Sequence, residues 1–206
     1  MTDAIGKPTP SQLVELLANL DPESAGGQQV DVDAIGRALD PTKLRRGEFT
    51  AILEHLDRLA GTAVDLSTLD AHTFAALIGR AGKDQLRDAL ARPALRTRIL
   101  GEIFRRMPAH LRPDRTRSVN AVVHWRFPSG TDYERYETII ENGTCGTGRD
   151  RTRDARVTIT VDPYDFVRLI TSHASAPVLF MTGKLKVRGD LAFAAGLISL
   201  FDLPRA

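Results

Sequence analysis

"FMTGKLKVRGDLAFAAGLISLF", residues 180–201, is the stretch whose reading decides the fold. Its first half alternates. Leu185 and Val187 face one way while Lys184, Lys186 and Arg188 face the other, the period-2 pattern of a strand with one buried face. On an edge strand those cations would discourage pairing with another sheet, a role they share equally with contact to anionic headgroups. Asp190 then stands where a helix N-cap belongs. From Leu191 to Phe201 the chain carries no charge, and Ser199 is its single polar side chain. A helix with one wet face shows polar residues at every turn. This one is therefore either enclosed on all sides or walls a space filled by an apolar ligand. Ala192, Ala194, Ala195 and Gly196 lie among Phe193, Leu197, Leu200 and Phe201, so part of the helix is thin. Thin surfaces permit close packing and also leave volume, and both readings stay open.

Upstream, "SVNAVVHWRF" (118–127) puts Val119, Ala121, Val123, Trp125 and Phe127 on one side. Asn120, His124 and Arg126 fall on the other, with Val122 the exception. "PSGTD" makes a turn, "YERYETIIE" a second strand, and Asn142-Gly143 a hairpin signal leading into "TCGTG". "ARVTITV" alternates again through Val157, Ile159 and Val161. Asp162-Pro163 opens a helix whose apolar face is Phe166, Val167, Leu169 and Ile170. Before the strands, "LRTRILGEIFRRM" lines up Leu95, Ile99, Ile103 and Met107 with Leu100 and Phe104 beside them, and Pro108 ends the run. The order is an α+β domain, a mainly antiparallel sheet of four or five strands covered on one face by helices.

The first half reads as helical throughout. "TPSQLVELLANL" has Thr9 at an N-cap, Pro10 at the first helical position and Leu13, Leu16, Leu17 and Leu20 at helical spacing. "ESAGGQQ" breaks it. "VDAIGRAL" and "GEFTAILEHLDRLAG" come next, the latter with a Phe49, Ile52, Leu53, Leu56 stripe. "IGRA" occurs at 35–38 and 78–81, each with "KLR" or "QLR" after it. Duplicated helical hairpins would explain this, as would an all-helical cap without duplication. Residues 1–94 thus form a helical N-terminal region and 95–206 the α+β domain.

Among 206 residues, 28 Lys and Arg against 26 Asp and Glu leave a net charge of +2, too little for a global field that draws nucleic acid. Cys145 is the single cysteine, which rules out an intrachain disulfide and fits a reducing compartment. "MTDAIGKPTPSQ" lacks the apolar run of a secretory signal, and no stretch approaches the ~18 apolar residues of a spanning helix. A cytoplasmic protein is expected.

Motifs for catalysis are weak. "NGTCGTGRD" lacks the Gly-Lys-Ser/Thr ending of a phosphate loop and reads better as a hairpin. Cys145 has no histidine near it in sequence. His55, His72, His110, His124 and His173 are scattered, and Asp31, Asp33 and Asp40 read as caps rather than calcium ligands. No enzyme activity, metal or cofactor is expected. "RRMPAHLRPDRTR" and "GRDRTRDAR" are two arginine-rich stretches, either solvated faces or attractors of anionic headgroups.

The run "DPYDFVRLITSHASAPVLFMTGKLKVRGDLAFAAGLISLF" resembles the C-terminal half of sterol carrier protein 2 domains, most specifically in F-M-x-G-K-L-x-V-x-G-D. The resemblance extends over about 95–206, with the helix at 95–107 as that family's first helix; residues 1–94 have no such counterpart. It implies a non-enzymatic lipid-binding or lipid-transfer protein. Sterol, fatty acid or fatty acyl-CoA would occupy an apolar tunnel between sheet and helices, and contact with an anionic membrane surface would be transient. The lipid-binding residues it implies are Phe166, Leu169 and Ile170 on the middle helix, Phe180 and Met181 before the last strand, and Phe193, Leu197 and Phe201 on the closing helix. The alternative is a non-catalytic protein-interaction or accessory module whose tunnel has collapsed.

Overall fold

The computed structural model describes residues 31–60 and 68–203, together with Gln12, Glu15, Leu17 and Asn19. The expected N-cap at Thr9 and the break at "ESAGGQQ" lie outside the described residues. The chain divides into two compact units, 1–95 (with Ala206) and 96–205.

In the first unit, α1 (Val32–Ala38) is capped by Asp31, which accepts from the Ala34 amide at 2.8 Å. It packs on α3 (Ala71–Arg80) through Gly36, where an added Cβ would meet the Thr73 methyl at 2.7 Å. α2 (Arg46–Leu59) packs on α4 (Lys83–Ala91), and between them buried Thr50 donates to Asp88 at 2.7 Å. The "IGRA" segments both end helices, but the residues just beyond them fold differently. "KLR" closes a 3₁₀ turn (Pro41–Lys43), whereas "QLR" sits inside α4, where Gln85 bonds back to the Pro41 and Leu44 carbonyls. The duplication is therefore not structural. Asp40 caps the 3₁₀ turn at Thr42, and Asp33 accepts from the Asp70 amide, so these acids serve local structure.

The second unit begins within α5 (Pro93–Arg106) and contains α6 (Pro113–Thr116), β1 (Asn120–Ser129), β2 (Asp132–Glu141), β3 (Thr144–Gly148), β4 (Val157–Val161), α7 (Pro163–Ile170), α8 (Ala176–Met181), β5 (Leu185–Gly189) and α9 (Leu191–Gly196). The five strands run in the order β3-β2-β1-β4-β5. Three pairings are antiparallel, and β1 with β4 is parallel. The sheet is thus mixed. The Asn142-Gly143 turn has φ of 51° and 77°, the two positive values of the tight hairpin that twisted strands prefer.

Register fixes two faces. Trp125 lies opposite Tyr136 and Ile159, and Val123 opposite Thr138 and Val157, on what we term the inner face. There Phe104 of α5 stacks on Tyr136 at 4.2 Å between centroids. Phe166 of α7 approaches Phe127 at 5.0 Å and Trp125 at 5.4 Å. Trp125 Nε1 donates to Thr138 at 3.0 Å, so its one polar atom is satisfied inside.

The outer face explains the Val122 exception. Because β3 and β4 are separated by β2 and β1, the connection 149–156 must cross both strands. Arg156 N donates to Val122 O at 2.9 Å, and Val122 and His124 are buried. Glu137, opposite His124 and 3% exposed, anchors the crossover. It accepts from the Thr152 hydroxyl at 2.6 Å, the Thr152 and Arg153 amides, and His124 Nε2 at 3.2 Å. Burial alone would raise its pKa, yet these hydrogen bonds outweigh desolvation and hold the carboxyl below the usual range.

Candidate functional site

The site is built from α7, α8, β5 and the closing segment. α7 begins at Asp162, which accepts from the Tyr164 amide at 2.9 Å, with Pro163 at the first helical position. It buries Phe166, Val167 and Leu169. Ser172 and Gly183 end α7 and α8 in the left-handed region, with φ of 63° and 71°. At Gly183 the chain reverses through paired bonds, Gly183 N to Phe180 O and Lys184 N to Leu179 O, the Schellman arrangement that delivers the strand.

The string M-T-G-K-L-K-V-R-G-D now has a physical reading. Gly183 turns the chain, while Leu185 and Val187 face Val161 and Ile159. Gly189, at φ 105°, passes so near Arg156 that a Cβ would lie 2.4 Å from its carbonyl oxygen. Asp190 caps α9 at the Phe193 amide, 2.8 Å away, and pairs with Arg156 at 2.8 Å. The amide bond first, and Arg156 with it, lower the Asp190 carboxyl. The Arg156 guanidinium also lies 4.4 Å from the centroid of the Phe193 ring.

The closing helix is not enclosed. α9 runs only to Gly196 and continues as a 3₁₀ turn, Leu197–Leu200. Leu197 and Phe201 are buried, whereas Leu191 is 53% exposed. Its end is pinned by Arg112 N to Leu200 O at 2.8 Å, Asp202 N to His110 O at 2.7 Å and a bridge between Leu111 and Phe201. A 3₁₀ turn (Met107–His110) and α6 thus hold the C-terminal segment.

The eight residues singled out by sequence fall into three environments. Phe166, Leu169, Leu197 and Phe201 are buried, and Phe166 belongs to the aromatic core. Ile170 and Phe193 are half-buried. Phe180 and Met181 are exposed, Met181 to 78%, and they lie on α8, the short helix before the last strand. Sequence reasoning missed α8 and its third exposed apolar residue, Val178 at 52%. Its signal was Pro177 at the second helical position after Ser175, too short a run to show a period. Asp165 is the buried polar group nearby: its Oδ1 has no hydrogen-bond partner, and Lys184 Nζ stands 3.7 Å away.

Cys145 pairs with Ile140 on the inner face and His124 with Glu137 on the outer face, so the two do not meet. Burial pushes the Cys145 thiol up to about 11, away from thiolate reactivity. Among the described residues no three His, Cys, Asp or Glu side chains gather to hold a metal, and no helix is long and apolar enough to cross a membrane.

Comparison with known proteins finds relatives among both curated proteins and solved structures. The "Hydroxysteroid dehydrogenase-like protein 2" of Xenopus tropicalis is 25% identical over 119 residues, 57% of this chain and 27% of that protein. The "Fatty acid-binding protein" of Yarrowia lipolytica is 31% identical over 84 residues, 39% of this chain and 65% of that protein. The chain therefore spans about a quarter of the first relative and just under two thirds of the second. The solved "Sterol Carrier Protein 2 from Yarrowia Lipolytica (apo form)" aligns over 52% of this chain and 90% of its own, at 24% identity and a TM-score of 0.40. The SCP-2 sterol transfer family matches residues 100–202, the mixed sheet with α7, α8 and the closing segment. With half of its length covered by that match, the chain belongs to the SCP-2 sterol transfer family.

Proposed function

We propose that residues 96–205 bind a hydrophobic small molecule, a sterol, fatty acid or fatty acyl-CoA, between the inner sheet face and the helices, and that the chain carries it without catalysis. Family membership supports the ligand class, as does the fatty acid named for the Yarrowia relative. The observation that carries the reading is the apolar exposure of α8 and the start of α9. Val178, Phe180, Met181 and Leu191 face solvent, and among the described residues Tyr133 on the other sheet face is the one further large hydrophobic side chain exposed. Neither α8 nor the closing segment from Leu191 to Phe201 contains a charge. Exposed apolar surface of this kind marks a place where an apolar partner docks.

In this reading Phe180 and Met181 meet the ligand first, Ile170 and Phe193 line its path, and Phe166, Leu169, Leu197 and Phe201 form the wall behind. Apolar burial is worth about 25 cal/mol per Å², so an alkyl chain gains several kcal/mol without any directed contact, and selectivity among lipids is modest. Asp165 and Lys184 offer a polar end for a headgroup. The absence of a competent nucleophile at Cys145 fits a carrier, and the lone cysteine fits a reducing, cytoplasmic setting. Native mass spectrometry of the purified protein, with titration of a fluorescent fatty acid and a fluorescent sterol, tests the proposal. Co-purified lipid or saturable uptake is expected. The absence of both rejects the carrier and favours an accessory module that uses the same apolar surface to dock a protein.

A further inference from the structure

The outer face of the sheet carries a feature that the apolar site leaves unused. Arg126 of β1 stands directly opposite Arg135 of β2, and on its other flank opposite Thr160 of β4, which faces Lys186 of β5. One row across four strands therefore reads Arg, Arg, Thr, Lys. Like charges directly opposite in a sheet destabilise it, and Asp132 offsets this only at the Arg135 end of the row.

The crossover 149–156 adds to the row. Three of its arginines are matched by carboxylates: Arg149 by Glu134 at 3.1 Å, Arg156 by Asp190 at 2.8 Å, and Arg153 by Glu141. Arg151 has no such carboxylate among the described residues. Desolvation, then the charges of Arg126 and Arg135, lower its pKa, and Glu137 acts weakly the other way. Arg126 is the more telling group. Its Nε is buried without a hydrogen-bond partner, although a buried donor normally has one. The guanidinium lies 5.8 Å from the Tyr133 ring centroid, and that of Arg135 lies 5.9 Å from the same ring.

The nearby carboxylates do not neutralise this group. Asp132 is engaged by Arg135 and points outward at 69% exposure. Glu137, two residue pairs further along, has its oxygens committed to Thr152, Arg153 and His124. What remains is a tyrosine ring with guanidinium groups around it and a buried N–H in want of an acceptor. Guanidinium forks match the spacing of phosphate oxygens, and a bound oxyanion would both satisfy Arg126 and relieve the repulsion.

We propose that Arg126 and Arg135, set around Tyr133, together with Arg151 of the crossover, form a binding site for a phosphate group on the sheet face opposite the apolar site. The phosphate is carried either by a soluble phosphate monoester or by the headgroup of an anionic lipid. The site is independent of the carrier reading, since no residue is shared between them.

Isothermal titration of the full chain with glycerol 3-phosphate at low salt tests the first source. Co-sedimentation with phosphatidylcholine vesicles, with and without phosphatidic acid, tests the second. The variants are R126Q, R151Q and, as a control of equal charge on α5, R105Q. Saturable binding of glycerol 3-phosphate, weakened about tenfold in R126Q and in R151Q and within about twofold of the parent in R105Q, supports a soluble ester. The same pattern with phosphatidic acid vesicles alone supports a headgroup. Without ligand, R126Q should melt no lower than the parent because repulsion is removed; should it fail to fold, R151Q on the crossover decides. Binding to neither probe, or a loss as large in R105Q as in R151Q, overturns the proposal.

Discussion

The two faces of the sheet solve the problem of burial by opposite means. The inner face fills its space with aromatic rings, Phe104, Trp125, Phe127, Tyr136 and Phe166, and satisfies its few polar atoms locally. The outer face is covered by a loop rather than a helix, and a single buried carboxylate, Glu137, holds that loop through hydrogen bonds. Apolar packing is non-directional and tolerates neighbours of many shapes. A carboxylate clamp is directional, and its strength depends on protonation. The faces should therefore respond differently to mutation and to pH.

The largest effect is expected on the inner face. Phe166 is 1% exposed and touches three other rings, so F166A should cost about 4 kcal/mol, measured by urea unfolding. A loss below about 1 kcal/mol would mean that Phe166 borders open space rather than packed rings, which would sharpen its assignment as a ligand wall. This loss should not change between pH 7 and pH 4, because no ionisable group is involved.

The outer face should give a smaller loss with a distinct pH signature. E137A leaves the Thr152 and Arg153 amides without their acceptor and should cost about 3 kcal/mol at neutral pH. The folded carboxyl lies below its unfolded value, roughly 4.3. Its contribution is thus complete above that pH and is lost as pH falls through the lower, folded value. Parent and variant should converge in acid, and amide exchange over 149–156 should speed up in the parent on the same titration. Equal pH dependence in both proteins would break the contrast between the faces.

How much of this was readable in advance depends on the range of the signals. Alternation is local, so the strands and their inward residues, Trp125, Phe127, Ile159 and Leu185, were legible from neighbours alone. So was the tight turn at Asn142-Gly143, because a positive φ selects for those residues. The parallel pairing of β1 with β4 was not, since it depends on how a distant connection crosses the sheet. The burial of Val122 and His124 was hidden for the same reason. For the candidate site, residue types were legible and environments were not. A charge-free helix read as either enclosed or lining a ligand space, yet Leu191 is 53% exposed, and within the closing segment the buried apolar side chains are Leu197 and Phe201. The six-residue α8 is too short to show periodicity and emerged only from the structure.

That last element offers the smallest effect on stability and the clearest test of function. Leu179 and Met181 are two residues apart on α8, the first 3% exposed and the second 78%. Truncating a buried leucine costs about 2–5 kcal/mol, whereas a surface substitution stays within about 0.5 kcal/mol. M181S should therefore leave the unfolding midpoint nearly unchanged. If the exposed side chain meets the ligand, the same substitution removes apolar contact at about 25 cal/mol per Å² and weakens fatty acid binding by roughly three- to tenfold. The double variant V178S/M181S should weaken it further, since Val178 is also exposed on the same short helix. Affinity falling while stability holds would separate an apolar rim that greets ligand from an apolar core that merely folds. Unchanged affinity in the double variant would move the ligand's point of entry away from α8.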